Sequence, residues 1–417
     1  MIVAQDRNDI SSIDYSTKIR APKYNIVMYI AILGRQPALG IAELERVFSG
    51  QNVKVLSKSA ARVNSDVFNI EHFGGTLKAG RIILEMPNDD WRILSQKVIQ
   101  HYLSAWSSST GKITLGLSTY GVKTGTREIQ KVGIILKQKL KSSGVSVRLI
   151  PNKEPALSTA TSHHNKLGLA PNKVELLIIR SDDGYLIVAE STGAQNITAY
   201  ARRDQARPKR DAYVGMLPPK LAQIMMNLAL GTLSTKNVRI LDPFCGTGVI
   251  LQEAALIGLS VYGTDLSEKM ISYSHDNLQW LSEVQNIKIN STLSAGDAMT
   301  MQWSSPVDAI VTESYLGQPF SAPPSPAKLN EVVKNCDHII TKFLSNLSSQ
   351  IDAGTPICIA VPSWRDKNGD FTHLPFIEKV GQLGYRRHEF TNVSQNSLLY
   401  YREDQIVARE LLVLIKI

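Results

Sequence analysis

Val238-Arg-Ile-Leu-Asp242-Pro243-Phe244-Cys245-Gly246-Thr247-Gly248-Val-Ile-Leu-Gln-Glu253 reads as a strand, a glycine loop and the start of a helix. Residues 238–241 are mostly apolar, as a buried strand requires. Gly246 and Gly248 permit a tight turn and a close backbone approach to a ligand. In an open α/β sheet, a loop at the carboxyl end of a strand is where ligands bind. A nicotinamide fingerprint would need Gly-x-Gly-x-x-Gly. Position 251 is Leu, which argues against an NAD-dependent oxidoreductase.

Downstream, Leu259-Ser-Val-Tyr-Gly-Thr264 forms a second strand pattern ending at Asp265. An acid about 20 residues past such a loop can accept both hydroxyls of a ribose. A third strand near Ile287 to Leu293 leads to Gly296-Asp297, where an acid can accept from an adenine amino group. Val307 to Thr312 and Pro356 to Val361 supply a fourth and a fifth. Short apolar strands alternating with helices imply a parallel sheet covered on both faces. Phe376 to Leu383 reads as a short helix and Gly384-Tyr385 as the start of another strand, while Ser363-Trp364-Arg365 either lines the substrate mouth or, the preferred reading, forms a surface turn.

Upstream the pattern differs. Ile26 to Leu33 is a strand, Ala38 to Phe48 a helix, Arg81 to Met86 a strand and Trp91 to Trp106 a helix. Ile113 to Tyr120, Val145 to Ile150, Val174 to Arg180 and Tyr185 to Glu190 read as further strands, with a helix over Arg127 to Ser143. These are small α+β units. Residues 196–219 form a basic, proline-containing connector, and Pro218-Pro219 opens a helix over Lys220 to Leu230.

The 417 residues carry 46 Lys+Arg against 37 Asp+Glu, a formal net charge of +9 that suits a polyanionic partner. Cys245, Cys336 and Cys358 form no Cys-x-x-Cys pair, and adjacent His163-His164 lack a partner set, so no metal is expected. The polar first residues hold no secretory core, and no stretch is apolar for the ~18–20 residues of a membrane helix. A cytoplasmic protein that uses no membrane is the expectation. The oligomeric state stays open, leaning to a monomer.

The Asp-Pro-x-Cys-Gly-Thr-Gly form of residues 242–248 resembles motif I of class I S-adenosylmethionine-dependent methyltransferases. That resemblance implies a doubly wound methyltransferase sheet over 236–417 and S-adenosylmethionine as cofactor. Asp242 would help hold the methionine ammonium. Pro243, Phe244, Cys245, Gly246 and Gly248 would form the loop around the cofactor. Asp265 would take the ribose and Asp297 the adenine. In this fold, Ser397 to Arg402 with Gln405 to Ile417 resembles the closing antiparallel hairpin.

Several further segments, in order, resemble the THUMP-domain RNA methyltransferases that act on the exocyclic amine of guanosine in tRNA. They are Ile32 to Glu45, Phe73-Gly-Gly-Thr-Leu-Lys78, Ser162-His163-His164-Asn165-Lys166-Leu167, Thr192-Gly193-Ala194-Gln195, Arg203-Asp204 with Arg207-Pro208, and Gly215-Met216-Leu-Pro218-Pro-Lys220-Leu-Ala222. Residues 1–22, with little hydrophobicity and no clear period, read as a loose, flexible tail. The resemblance implies a ferredoxin-like domain over 23–95 and a THUMP-like RNA-binding domain over 96–195. A basic linker and helix would occupy 196–235, ahead of the methyltransferase domain. It implies tRNA as partner. Lys131, Lys137, His164, Asn165, Lys166, Arg202, Arg203, Arg207, Lys209 and Arg210 are the candidates for contacting it, largely through phosphates.

An exocyclic amine is a poor nucleophile because its lone pair is delocalised into the ring. Related enzymes place Asp/Asn-Pro-Pro-Tyr after the fourth strand, where acceptors bind the amine and the aromatic ring stacks on an extruded base. Here the segment is Glu313-Ser314-Tyr315-Leu316-Gly317. Either Glu313 accepts from the amine, Ser314 adjoins it and Tyr315 stacks, or the loop has lost amine methylation. The first reading makes the chain a tRNA methyltransferase. The second makes it a non-catalytic RNA-binding protein that keeps a cofactor pocket. DNA amine methylation is a third possibility, opposed by the THUMP-like half.

Overall fold

The computed structural model describes residues 27–87, 90–211, 217–233, 236–304 and 306–417. The expected tail over 1–22 and the Gly215-Met216 pair lie outside the described residues.

The N-terminal half is one eight-stranded sheet. β1 (Met28–Leu33) lies between β3 (Ala60–Asn64) and β4 (Thr76–Pro87), and β2 (Val53–Ser57) closes that edge. β4 continues into β8 (Tyr185–Ala194), followed by β7 (Lys173–Arg180), β5 (Ile113–Tyr120) and the edge strand β6 (Val147–Leu149). Antiparallel pairing of β4 with β8 runs from Lys78↔Ala194 to Pro87↔Tyr185. The sheet therefore does not break at residue 95, where the sequence reading divides two domains. Helix α1 (Pro37–Phe48) serves the first part. Helices α2 (Trp91–Trp106) and α3 (Thr126–Ser142) pack together over the second, α3 through its apolar stripe Ile129, Val132, Leu136 and Leu140. The short helix α4 (Thr159–His164) is capped by Ser158, whose hydroxyl accepts the Thr161 N–H at 3.1 Å.

Beneath this sheet lies a buried ion pair. Lys78 Nζ contacts Glu175 Oε1 and donates to the Leu157 carbonyl at 2.7 Å, and the Ser118 hydroxyl donates to the same Glu175 oxygen at 2.6 Å. Both charged side chains are almost wholly removed from water.

The described residues of the expected linker form two helices. Helix α5 (Ile197–Gln205) is capped by Asn196, whose Oδ1 accepts the Ala199 N–H at 3.0 Å. Helix α6 (Pro219–Leu230) follows and is apolar nearly all round, because it is covered on both sides. On one side it packs on the second sheet; on the other it meets α1. That junction is polar and specific. Glu43 accepts from the Gly74 N–H (2.9 Å), the Gly75 N–H (2.8 Å) and Asn227 Nδ2 (2.7 Å). Arg46 donates to the carbonyls of Leu228 and Ala229 at the end of α6. A Cβ on Gly74 would lie 2.2 Å from the Lys220 carbonyl oxygen, so the helix sits directly on bare backbone. Burial pushes the Glu43 carboxyl up to about 7.

The second sheet has the order β11-β10-β9-β12-β13-β17-β15, with β9 (Arg239–Asp242), β10 (Ser260–Asp265), β11 (Ser291–Ala295), β12 (Ala309–Glu313), β13 (Pro356–Arg365), β15 (Tyr385–Arg387) and β17 (Val407–Lys416). The first five are mutually parallel, and β17 enters antiparallel between β13 and β15. β14 (Phe371–Thr372) and β16 (Leu399–Tyr400) are short additions on β13 and β17. Helices α7 (Val249–Leu256) and α8 (Glu268–Gln285) join α6 on one face, and α9 (Pro326–Ser348) covers the other. This is a doubly wound sheet with its order reversing between β9 and β12, the kind of switch point where such sheets bind ligands.

Two local expectations change. The third strand begins at Ser291 rather than near Ile287, after the left-handed Asn286 ends α8. Ser363-Trp364-Arg365 is not a surface turn: β13 continues through it, paired to β17 as far as Trp364↔Val407, and Trp364 is fully buried.

Candidate active site

β9 is short, and it delivers Asp242 to the switch point. One carboxylate oxygen of Asp242 accepts the Thr312 hydroxyl at 2.6 Å and the Phe244 N–H at 3.3 Å. Its other oxygen has no partner among the described residues, and it is not among the buried unpaired atoms, so it faces the open side of the loop. Burial pushes the carboxyl up to about 8, with Asp265 and Glu313 adding to the effect.

Gly246 (φ +51°) and Gly248 (φ +78°) both occupy the left-handed region. A Cβ on Gly248 would stand 2.8 Å from the Ser274 hydroxyl of α8, which explains why that position is bare. Beside Gly246 the nearest atom to an added Cβ is a carbonyl at 4.0 Å, so the loop has room above it. Cys245 donates its N–H to the Thr264 carbonyl at 2.9 Å and turns its thiol inward, where burial holds it well above the usual range. Cys245, expected as part of the loop around the cofactor, therefore offers its backbone rather than its thiol to that loop. Phe244 is half-buried, edge-on to Phe343 at 5.2 Å. Pro243 is buried.

The second and third strand ends are tied to this loop. Asp265 accepts the Gly246 N–H at 3.0 Å and the Ser267 N–H at 2.9 Å, and burial raises its carboxyl. A carboxylate has about four acceptor positions, so roughly two remain for a ligand. The Gly296 N–H donates to the Asp265 carbonyl at 2.9 Å, and Asp297 accepts the Met299 N–H at 2.9 Å. The three acids thus stand at the ends of adjacent strands.

The fourth strand end departs from the sequence reading. Ser314 is buried, and its N–H and hydroxyl both donate to the Ala360 carbonyl at 2.9 Å. It fastens β12 to β13 and has no hydroxyl to offer a substrate. Glu313 accepts a hydrogen bond from Arg409 Nε of β17. The two reach over β13 on one sheet face, above the small Ala360, since Glu313 pairs with Ala360 and Arg409 with Pro362. Tyr315 is 42% exposed and carries its ring into solvent. Thr312 and Arg409 went unread: nothing local marks Arg409, nearly a hundred residues along the chain from its partner.

The basic candidates divide. Arg203 forks onto Glu253 (2.6 and 3.2 Å) and lies over the Tyr200 ring at 4.6 Å. Arg207 is buried and 3.9 Å from Asp204. Neither is available for phosphate, a correction with one cause: both charges are engaged inside the fold. Lys209 is half-exposed, 3.5 Å from Asp276, while Arg202 and Arg210 are exposed. Lys131 and Lys137 are exposed on α3. Lys137 lines a cleft of about 470 Å³ along β6 with Lys112, Lys141 and Arg148. A second cleft of about 390 Å³ shares Arg148 and adds Lys153 and Asn165. His164 and Lys166 are exposed nearby, whereas Asn165 spends one donor on the Thr161 carbonyl at 2.9 Å.

Residues 207–335 match the family described as RMKL-like, methyltransferase domain. A tRNA (guanine(10)-N2)-dimethyltransferase of Methanothermobacter thermautotrophicus is 35% identical over 39% of this chain and 44% of its own length. The chain thus spans less than half of that relative. A protein of Methanothermococcus thermolithotrophicus named probable tRNA (guanine(10)-N2)-dimethyltransferase is 31% identical over 30% of this chain and 74% of its own length. In fold, the crystal structure of TrmN from Thermus thermophilus aligns with 94% of this chain and 100% of its own, at a TM-score of 0.51 and 16% identity. Both sheets therefore share that architecture, and no helix among the described residues is long and apolar enough to cross a membrane.

Proposed function

The chain belongs to the family of the tRNA (guanine(10)-N2)-dimethyltransferases, and from that we propose that it transfers a methyl group from S-adenosylmethionine to the exocyclic amine of a guanosine in tRNA. The observation that carries this reading is the clamp between Thr312 and Asp242, which sets the glycine loop beside Glu313 at the sheet's switch point. The residues fit the cofactor. The open space over Gly246 admits its body, the free oxygen of Asp242 suits an ammonium, and Asp265 keeps acceptor capacity for ribose hydroxyls. Asp297 is the acceptor assigned to the adenine amine. Bound there, S-adenosylmethionine would supply an electrophilic methyl group.

Glu313 has one carboxylate oxygen clear of Arg409, positioned to accept a proton-bearing amine and to hold its proton. Tyr315 offers a ring for stacking on an extruded base. The N-terminal half is assigned to tRNA, as a THUMP-like unit acting in the cytoplasm. The two clefts sharing Arg148 support it, with Lys112, Lys137 and Lys141 lining one and Lys153 the other. Such groups position phosphates without reading sequence.

The test is label transfer from S-adenosylmethionine to unmodified total tRNA, with duplex DNA as competitor. Transfer to tRNA, lost in Glu313→Ala, is expected. Transfer to DNA instead would favour the DNA amine reading, and tight RNA binding without any transfer would favour a binding protein.

Cofactor affinity should also depend on pH. An ammonium draws Asp242 into its charged form, and a free site with a carboxyl near 8 must release a proton to bind it. Affinity is therefore expected to rise by up to about tenfold per unit from pH 6 toward 8. It should fall again as the cofactor's amine, ordinarily near 7.7–8.0 for an α-amino group, loses its own proton. Calorimetric titration in buffers of different ionisation enthalpy reads the proton release. A flat profile in wild type would remove Asp242 from the ammonium.

A further inference from the structure

The pair Arg409–Glu313 holds more hydrogen-bonding capacity than the carboxylate alone needs. Arg409 uses Nε on Glu313, and its two terminal nitrogens have no partner among the described residues. None of those atoms, nor the second oxygen of Glu313, is among the buried unpaired groups, although the two side chains are only 10% and 16% exposed. A fork of donors and an acceptor therefore stand side by side at one shallow opening. The opening lies at the carboxyl end of β12, two strands from Arg409's own strand and one from Asp242. A guanidinium placed only to neutralise Glu313 would gain by turning its fork onto both oxygens, the usual bidentate geometry. Here it meets the carboxylate through Nε alone.

Guanine is the one common base whose pairing edge carries an amine, a ring N–H and a carbonyl in a row. A carboxylate spans the first two and a guanidinium suits the third. We propose that Arg409 is a specificity-determining residue: its terminal N–H groups hold the O6 carbonyl of the target guanine while Glu313 accepts from the amine and ring N–H beside it. This rests on the guanosine reading above and deepens it. No bond other than hydrogen bonds is made or broken by Arg409.

The probe is a tRNA carrying 6-thioguanosine at the methylated position, which keeps the amine and ring N–H but replaces O6 with a poor acceptor. Wild-type protein is expected to prefer guanosine over 6-thioguanosine by roughly tenfold or more in kcat/KM, as for loss of a hydrogen bond to a charged group. In Arg409→Gln and the charge-preserving Arg409→Lys, guanosine should lose rate and the preference should shrink toward one. Equilibrium binding of the two RNAs, read without cofactor, should show the same collapse. If both substrates fall equally and the preference survives in both variants, Arg409 merely holds Glu313 and the inference is overturned. If wild type methylates another base or none, the guanosine reading itself has failed and the inference falls with it.

Discussion

Asp242→Ala is expected to weaken S-adenosylmethionine binding by about 100-fold or more and to abolish measurable methyl transfer. The magnitude follows from removing one partner of a desolvated, hydrogen-bonded charge pair, which typically costs 2–5 kcal/mol. Asp242 is buried, and its bond to Thr312 holds it in one orientation at the end of β9. Asp242→Asn keeps the shape and the acceptor for Thr312 but lacks the charge, and it should fall between. The same substitution should act oppositely on stability. The folded-state carboxyl, near 8, lies above the ordinary aspartate value of about 3.9. The unfolded chain then releases its proton first, so wild type loses stability as pH rises from about 4 to about 8. Asp242→Asn should lack that loss and melt higher than wild type at pH 8. Thermal unfolding and cofactor titration on the two proteins check both signs. A variant that binds normally would remove Asp242 from the site.

Lys78→Met is expected to produce the largest loss of stability in the N-terminal sheet. It leaves Glu175 buried beside the Ser118 hydroxyl without a compensating charge, and breaking such a pair costs about 3–5 kcal/mol. For a unit of this size, that corresponds to a fall of about 10 °C in its thermal midpoint. The double variant Lys78→Met with Glu175→Leu removes the orphaned charge as well. It should recover much of the loss, since a buried pair replaced by apolar side chains is often neutral. Differential scanning calorimetry separates the outcomes. A single variant as stable as wild type would contradict a charged, stabilising pair at this place.

What could be read from the sequence was local. Gly246, Gly248 and three acids at successive strand ends lie within about sixty residues, and each follows its own strand. A strand–loop–helix pattern with fixed spacing carries that information without tertiary contacts. The charge partners could not be read. Arg203 and Arg207 look like phosphate contacts until the fold brings Glu253 and Asp204 against them. Arg409 lies in the last strand, and only its insertion beside β13 brings it to Glu313. The hairpin β2–β3 also escaped, because Ala60-Ala61 and a two-residue turn give little periodic signal. In the connector, proline and clustered arginines read as loop, although Asn196 caps a helix there.

The Ile32 to Glu45 and Phe73-Gly-Gly segments acquire a physical reason in the fold. Glu43 binds the two glycine amides and Asn227, so these motifs form the junction between the first sheet and α6. That junction fixes the lysine-lined clefts relative to the glycine loop. The proposed contact of RNA at the clefts and its modification at the loop would depend on that fixed offset.

The most direct test is to digest tRNA methylated by the wild-type protein to nucleosides and identify the product by mass spectrometry against standards. The account predicts guanosine methylated on its exocyclic nitrogen, absent when Glu313 is alanine. A methyl group on any ring carbon, ring nitrogen, ribose or other base would contradict it.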